Sequence, residues 1–283
     1  LLTGKTSNLD YLKSLDGDLS IHKVSITDLD ALHPVFAGVE VVFHQAALPS
    51  VPLSVDDPIA THDHCTTGTL NVLVAAKDAG VRRVVYAASS SAYGDVDSPS
   101  QDETLLPDPI SPYGVAKLAG EYYCKAFYAV YGLETVCLRY FNVFGTRQDP
   151  NSQYAAVIPK FITMMLEDKQ PMIFGDGSQT RDFTYVDNIV HGNLLAADAP
   201  DAAGKMMNMA TGNKESVLDL VHKINSALGT EVEPIFMPAR AGDILHSAAN
   251  IDKARELLDF SPIVEFNEGL KRTAEWYRTQ HNK

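Results

Sequence analysis

Three short apolar runs limit what this chain can fold into. Residues 40–45 (EVVFHQ), 83–88 (RVVYAA) and 134–141 (ETVCLRYF) are apolar on both parities, as strands buried on both faces must be. Helical patterns separate them. Residues 67–79 place Leu70, Leu73 and Val74 on one face, and residues 113–131 form a longer segment of the same kind. Residues 21–26 alternate and read as a further strand. Strands alternating with helices predict an α/β chain with a doubly wound parallel sheet and crossover helices on both faces. Ligands of such sheets lie beyond the carboxyl ends of the strands, so the chemistry is sought in the strand-to-helix loops.

After Gly145 the texture changes. Pro150, Pro159, Pro171, Pro200, Pro234, Pro238 and Pro262 punctuate shorter elements, with helices predicted over 155–167, 187–197, 216–228, 252–258 and 267–281. This reads as a smaller C-terminal α/β part closing over the sheet. A chain of 283 residues suits one large domain or two that share an interface. With 23 basic and 36 acidic side chains the net charge is −13, which disfavours nucleic acid but not a small phosphate-bearing ligand held by one or two arginines. No apolar run reaches the roughly 18 residues of a membrane span. Residues 1–13 lack the layout of a secretory signal. Cys65, Cys124 and Cys137 form neither a disulfide framework nor a zinc pattern, so the expected setting is a reducing cytoplasm.

Tyr113 and Lys117 stand four apart on a predicted helix and therefore share a face. A phenol with a pKa near 10 is a poor base at neutral pH, and a neighbouring ammonium favours its phenolate. Such a pair can serve as general base toward a hydroxyl. The same spacing also occurs as an ordinary surface pair, so context decides. Ser111-Pro112 opens the helix, and the strand over 83–88 ends in Ser89-Ser90-Ser91, small hydroxyls that can hydrogen-bond a substrate or satisfy their own loop.

With Ser89 and Tyr93-Gly94 upstream, Tyr113/Lys117 resembles the extended short-chain dehydrogenase/reductase family, which implies a Rossmann-type fold and NAD as cofactor. His44-Gln45-Ala46-Ala47 resembles that family's NAD-lining strand end, and Ser25-Ile26 stands where an Asp-Ile pair contacts adenine. Arg139 to Gly145 resembles the loop whose asparagine, here Asn142, reaches the substrate. The stretch Gly175 to Asp187 resembles one whose arginine, here Arg181, holds a sugar-nucleotide diphosphate. Arg240 and Asp243 resemble the late diphosphate and ribose contacts. The resemblance implies residues 1–145 as NAD-binding domain and 146–283 as mainly sugar-nucleotide domain, with about 183–212 returning to the first. It also implies a homodimer built on the helices over 113–131 and 67–79.

Within that family the chain looks most like the UDP-hexose 4-epimerases. Related dehydratases and decarboxylases carry an acid in the loop where Ser90 and Ser91 stand, and here no carboxylate is present to protonate a leaving hydroxyl. Residues 147–150 and 153–159, with Ala156 and Val157, resemble the subgroup that accepts N-acetylhexosamines. Ser247 falls at the sugar-pocket gatekeeper, where a small side chain leaves room for an acetamido group. In this reading Ser89, Tyr113 and Lys117 are catalytic; Ser25, Ile26, His44, Ala46 and Ala47 join Tyr113 and Lys117 in holding NAD. Ser50, Ser90, Ser91, Asn142, Ala156, Val157, Arg181, Arg240, Asp243 and Ser247 meet the sugar nucleotide.

The departures from the family pattern are specific. There is no G-x-x-G-x-x-G and no acidic residue for the adenosine ribose, so a further strand-helix-strand of about 30 residues is expected ahead of Leu1 in a longer enzyme. Pro49 replaces a glycine beside Ser50, and Cys65 replaces an asparagine. The run His62-Asp63-His64-Cys65 places ligand types consecutively, which suits a metal poorly, and none is expected. The readings left open are a UDP-glucose/UDP-galactose 4-epimerase, a keto-sugar reductase, and a non-catalytic dinucleotide-binding protein of the same fold.

Overall fold

The computed structural model describes residues 4–15, 17–96, 98, 100–150, 157–239 and 246–281. The expectations for Ala156, Arg240 and Asp243 lie outside the described residues, as does most of the 153–159 stretch. The chain begins with helices α1 (Thr6–Lys13) and α2 (Leu29–Phe36), strand β1 (Val41–His44), and helices α3 (Val51–Asp56), α4 (Pro58–His62) and α5 (Gly68–Asp78), the last two joined by a π-turn over Asp63–Thr67. Then come strand β2 (Arg83–Ser89), helix α6 (Pro112–Tyr131), strands β3 (Glu134–Tyr140) and β4 (Asn142–Phe144), and helix α7 (Val157–Leu166). Strands β5 (Met172–Phe174), β6 (Thr180–Arg181) and β7 (Phe183–Tyr185) lead into helix α8 (Val186–Asp198). Strands β8 (Lys205–Met209) and β9 (Glu215–Ser216), helix α9 (Val217–Leu228), strands β10 (Ile235–Met237) and β11 (His246–Ser247), and helices α10 (Asp252–Leu258) and α11 (Phe266–His281) complete it.

The main sheet has the order β1-β2-β3-β8 and every pairing in it is parallel. Every residue of β2 is buried, as its unbroken apolar run requires. One face packs Val84 and Tyr86 against Leu73 of α5 and Cys124 and Phe127 of α6. The other packs Val85, Val136 and Leu138 against Ile189 of α8 and Met207. A third core joins Ile162, Leu220, Ile224 and Leu270 between α7, α9 and α11. Each such side chain contributes about 1.5–3 kcal/mol by leaving water. The register pairs Ser89 with Tyr140 and Tyr140 with Met209, so the strands end level with one another and create a common rim.

Residues 21–26 depart from the expectation. They carry no strand pairing, because β1 is the last strand on that side of the sheet among the described residues and Phe43 on it is exposed. An alternating pattern becomes a strand only when a neighbour completes its ladder. Helix α6 follows its signals closely. Ser111 caps it by accepting from the Gly114 amide at 3.1 Å, worth about 1 kcal/mol, and Pro112 fills the first turn.

Candidate active site

The rim of the sheet meets the start of α6 at a close approach. Strand β2 ends at Ser89, and a tight turn over Ser90–Ala92 follows, with Ser89 Oγ accepting from the Ser91 amide at 3.1 Å. A Cβ at position 114 would lie 2.6 Å from the Ser91 carbonyl oxygen, so only glycine lets the helix come this near. That contact places Tyr113 and Ser89 on the lining of one cleft. One turn on, Lys117 is 3% exposed, and its Nζ donates to the Ala87 carbonyl at 2.8 Å and sits 5.0 Å from the centre of the Tyr86 ring. The Ser89, Tyr113 and Lys117 of the sequence reading are thus brought together.

These groups head a cleft of ≈ 790 Å³ between the strand ends and the C-terminal elements. Its described lining includes the cations Lys117, Lys160 and Arg181 and not one Asp or Glu. Asn142 faces the cleft while its Nδ2 donates to the Asp182 carbonyl at 3.2 Å. Asp182 is fully buried and its carboxylate accepts from Thr211 Oγ1 at 2.7 Å and from the Thr211 and Gly212 amides at 3.0 and 2.8 Å. Those bonds fix the turn that presents its neighbour Arg181. Ala47, Ser90, Ser91 and Val157 also line the cleft.

Burial dominates the electrostatics. It pushes the Tyr113 phenol up to about 12, against a smaller downward pull from the Ser89 hydrogen bond, and pushes Lys117 down to about 8. The expectation that Lys117 depresses Tyr113 is therefore corrected: loss of water around the phenol dominates, and the ammonium is turned toward the Ala87 carbonyl. His44 is buried, its Nε2 paired with Thr69 Oγ1 at 3.0 Å, and burial followed by the Lys117 charge lowers it to about 3. It is neutral at pH 7 and belongs to the strand end.

His44 gives a stability prediction. Unfolded, it takes up a proton near pH 6.5; folded, it refuses one until about 3. The unfolded state binds more protons in that window, so stability falls as the pH drops through it. Urea titrations of wild type and His44→Gln should differ in slope by about 1.4 kcal/mol per pH unit between pH 6.5 and 4. Equal slopes would contradict a buried neutral imidazole.

Ser25 and Ile26, expected at the adenine, lie outside the cleft lining, as do Ala46, Ser50 and Ser247. The Ser25 hydroxyl pairs with Thr27 Oγ1 at 2.8 Å, and the Ile26 carbonyl accepts from Asn71 Nδ2 at 3.0 Å. Ser50 caps α3 by accepting from the Leu53 amide at 3.1 Å. Ala46 lies at the exposed strand end outside the lining. Ser247 is 8% exposed, paired in β11 against Arg181, and does not line the cleft among the described residues. The gatekeeper argument therefore draws no support from its position. In the His62–Cys65 run, His64 Nδ1 faces the Ala60 carbonyl at 2.9 Å and Cys65 Sγ the Leu48 carbonyl at 3.8 Å. No cluster of three or more potential metal ligands occurs among the described residues.

The structure adds Gln45, Tyr140 and Lys160 to the cleft. Gln45 and Tyr140 stand inside motifs already singled out, but their meeting across the sheet has no local signal in the sequence. Lys160 follows Val157 by three positions on α7 and so shares its face.

The sequence profile described as the NAD dependent epimerase/dehydratase family matches residues 3–210. The UDP-glucose 4-epimerase of Mycolicibacterium smegmatis is 36% identical over 283 residues, covering 99% of this chain and 89% of its own. The UDP-N-acetylglucosamine 4-epimerase of Methanobrevibacter ruminantium, solved with UDP-N-acetylmuramic acid, superposes with a TM-score of 0.89 at 38% identity over 93% of this chain and 84% of that one. The UDP-glucuronic acid 4-epimerase of Bacillus cereus, solved with UDP-glucuronic acid and NAD, superposes with a TM-score of 0.89 at 32% identity over 97% and 86%.

Proposed function

The chain belongs to the NAD-dependent epimerase/dehydratase family, and on that premise we propose that it inverts C4 of UDP-N-acetylhexosamines, interconverting UDP-GlcNAc and UDP-GalNAc. That it is an NAD-dependent enzyme acting as a 4-epimerase of UDP-sugars follows from its relatives. The observation that carries the 4-epimerase chemistry is a base without an acid: Ser89, Tyr113 and Lys117 line a cleft whose described lining holds no carboxylate; the choice of an N-acetylhexosamine is supported by the likeness to the UDP-N-acetylglucosamine 4-epimerase. Elimination of water or loss of carbon dioxide needs a placed acid, whereas inversion at C4 needs only one group to take and return a hydroxyl proton.

The residues present fit the nicotinamide-ribose end of NAD. A buried ammonium and two adjoining hydroxyls offer donors to a ribose, and Ala47, Ala87 and Ala88 leave a low floor for a flat ring. Bound NAD supplies a reversible acceptor for the hydride of C4. Tyr113 takes the C4 hydroxyl proton and later returns it. Ser89 holds the C4 oxygen and passes the proton to Tyr113. Where Lys117 stands, donating to the Ala87 carbonyl, the Tyr113 phenol is held up at about 12, so in this reading its ammonium turns toward the phenolate as the C4 hydroxyl proton is taken. Arg181 and Lys160 attract the diphosphate from the cleft wall; Arg240, outside the described residues, joins them in this reading, and Asp243 accepts from the uridine ribose hydroxyls. Anchored there, the 4-keto sugar turns over between Asn142, Ser90 and Ser91, and inversion results with no net redox change.

Residues 1–145 serve the cofactor and 146–283 mainly the sugar nucleotide in this reading, with about 183–212 returning. The parallel pairing of β8 beside β3 and of β7 beside β4 supports that return. A second copy of the chain is the proposed partner. Val115, Tyr122 and Tyr131 exposed along α6, with Val55 and Ile59 beside them in sequence order on α3 and α4, support a mate there; α5 presents no large exposed apolar side chain. Among the described residues no helix is long and apolar enough to cross a membrane.

Proton NMR of UDP-GlcNAc and of UDP-glucose, each incubated with the protein and NAD, tests the substrate. A UDP-GalNAc anomeric signal growing from the first supports the proposal. Conversion of UDP-glucose alone would keep the chemistry and overturn the N-acetylhexosamine assignment.

A further inference from the structure

Tyr93 follows the serine turn, and the chemistry above gives it no role. It is fully buried and lies outside the cleft lining. Its amide donates to the Ser90 carbonyl at 3.0 Å, which closes the turn over Ser90–Ala92. Its ring stacks under the Arg139 guanidinium, and its hydroxyl donates to Asn208 Oδ1 at 2.7 Å. Burial pushes that phenol up to about 12, so it stays a neutral donor. On the other side of the turn, Gly114 brings α6 against the Ser91 carbonyl. The turn is therefore held between the helix that carries Tyr113 and a phenol seated in the core beside β8.

Asn208 is also fully buried, on the last strand of the main sheet, and it too lies outside the cleft lining. Its two side-chain N–H groups go to the Gln101 carbonyl at 2.9 Å and the Asn250 carbonyl at 3.0 Å. The segments around those two residues are bonded to each other: the Gln101 amide donates to the Ala248 carbonyl and the Asn250 amide to the Gln101 carbonyl, both at 2.8 Å. The second segment leads straight from β11, where Ser247 pairs with Arg181 and its carbonyl accepts from the Asp182 amide at 2.9 Å. One side chain thus has its oxygen on the serine turn, through Tyr93, and its nitrogen on the segment that runs beside Arg181. A buried amide adds little net stability over an apolar side chain of the same shape. What it adds is direction, because hydrogen bonds fix distance and angle and apolar contact does not.

Resting on the functional reading above, we propose that Asn208 is a positioning residue for inversion at C4. Through Tyr93 it places the serine turn that meets the sugar, and through Asn250 and Gln101 it places the strand beside Arg181, which attracts the diphosphate. It therefore sets the span between the two ends of the substrate. A misplacement of about 1 Å between reacting groups can cost on the order of 10²-fold in rate. Loss of the link should accordingly lower turnover while the grip on the nucleotide alone is kept.

The test measures turnover of the UDP-sugar with NAD present, UDP affinity by calorimetry, and melting temperature. It uses wild type, Tyr93→Phe, Asn208→Leu and the double variant Tyr93→Phe/Asn208→Leu. Each single variant strands a buried polar partner and should melt lower; the double variant removes the hydroxyl and its acceptor together and should melt above Asn208→Leu. The expected kcat is about tenfold below wild type in both single variants and stays there in the double variant, with UDP affinity within about twofold throughout. A double variant that regains turnover along with its melting temperature would reduce Asn208 to a packing role and overturn the proposal. Tyr93→Phe turnover within about threefold of wild type, or UDP affinity that falls as far as turnover, would overturn it as well. Wild type that turns over no UDP-sugar would overturn the functional reading and this inference together, whereas an active wild type beside unaffected variants would overturn the inference alone.

Discussion

Tyr113→Phe should lower turnover of the UDP-sugar by at least about 10³-fold while NAD and UDP-sugar binding change by less than about twofold. The ring packs among Leu48, Cys65 and Ala116, and phenylalanine keeps that packing, so the protein should remain folded. What is lost is the Tyr113 hydroxyl, which shares the cleft lining with Ser89. Ser89→Ala should cost less, because the tyrosine still reaches the sugar oxygen. Progress curves and binding isotherms on the same preparations check this. A Tyr113→Phe variant within tenfold of wild type would remove Tyr113 from the chemistry.

The second large effect concerns stability. Arg139 is 1% exposed, and its Nε and Nη2 donate to the two Glu121 carboxylate oxygens at 2.8 and 2.7 Å. Its guanidinium also lies 4.4 Å from the centre of the Tyr93 ring, beside the serine turn. Glu121 follows Lys117 by one helical turn, so this pair clamps β3 to the helix that carries Tyr113 and Lys117. Two charges taken out of water roughly balance each other, and removing one leaves the other stranded. Glu121→Leu should therefore cost about 3–5 kcal/mol in urea unfolding. The double variant Glu121→Leu/Arg139→Met should recover most of that loss, since apolar side chains fill the same volume without a desolvation penalty. A single variant within about 1 kcal/mol of wild type would show that water reaches the pair.

The parts of the fold that could be read early are those set by local pattern. The run over 83–88 is apolar on both parities, and β2 is buried throughout. The Ser-Pro start and the Tyr113/Lys117 spacing located both α6 and the face it turns to the cleft. What escaped depends on distant partners. Residues 21–26 alternate, but alternation does not provide the neighbouring strand that a ladder needs. Ser247, expected at the sugar pocket, is buried in a strand paired with Arg181, 66 positions earlier, outside the described cleft lining. Tyr113 carried the expectation of a depressed pKa from its lysine; the opposing desolvation comes from packing by segments near residues 48 and 65, which spacing on one helix does not reveal. The bond between Tyr140 and Gln45 joins residues 95 positions apart.

The central claim is that C4 inverts by loss and return of its own hydride, with Tyr113 handling only the hydroxyl proton. The most direct measurement repeats the NMR assay with UDP-GlcNAc carrying deuterium at C4, in ordinary water with NAD present. The account predicts UDP-GalNAc with the deuterium still at C4, because the label leaves the sugar and comes back without meeting solvent. UDP-GalNAc bearing solvent hydrogen at C4 would contradict it, and so would a labelled substrate that yields no C4 epimer.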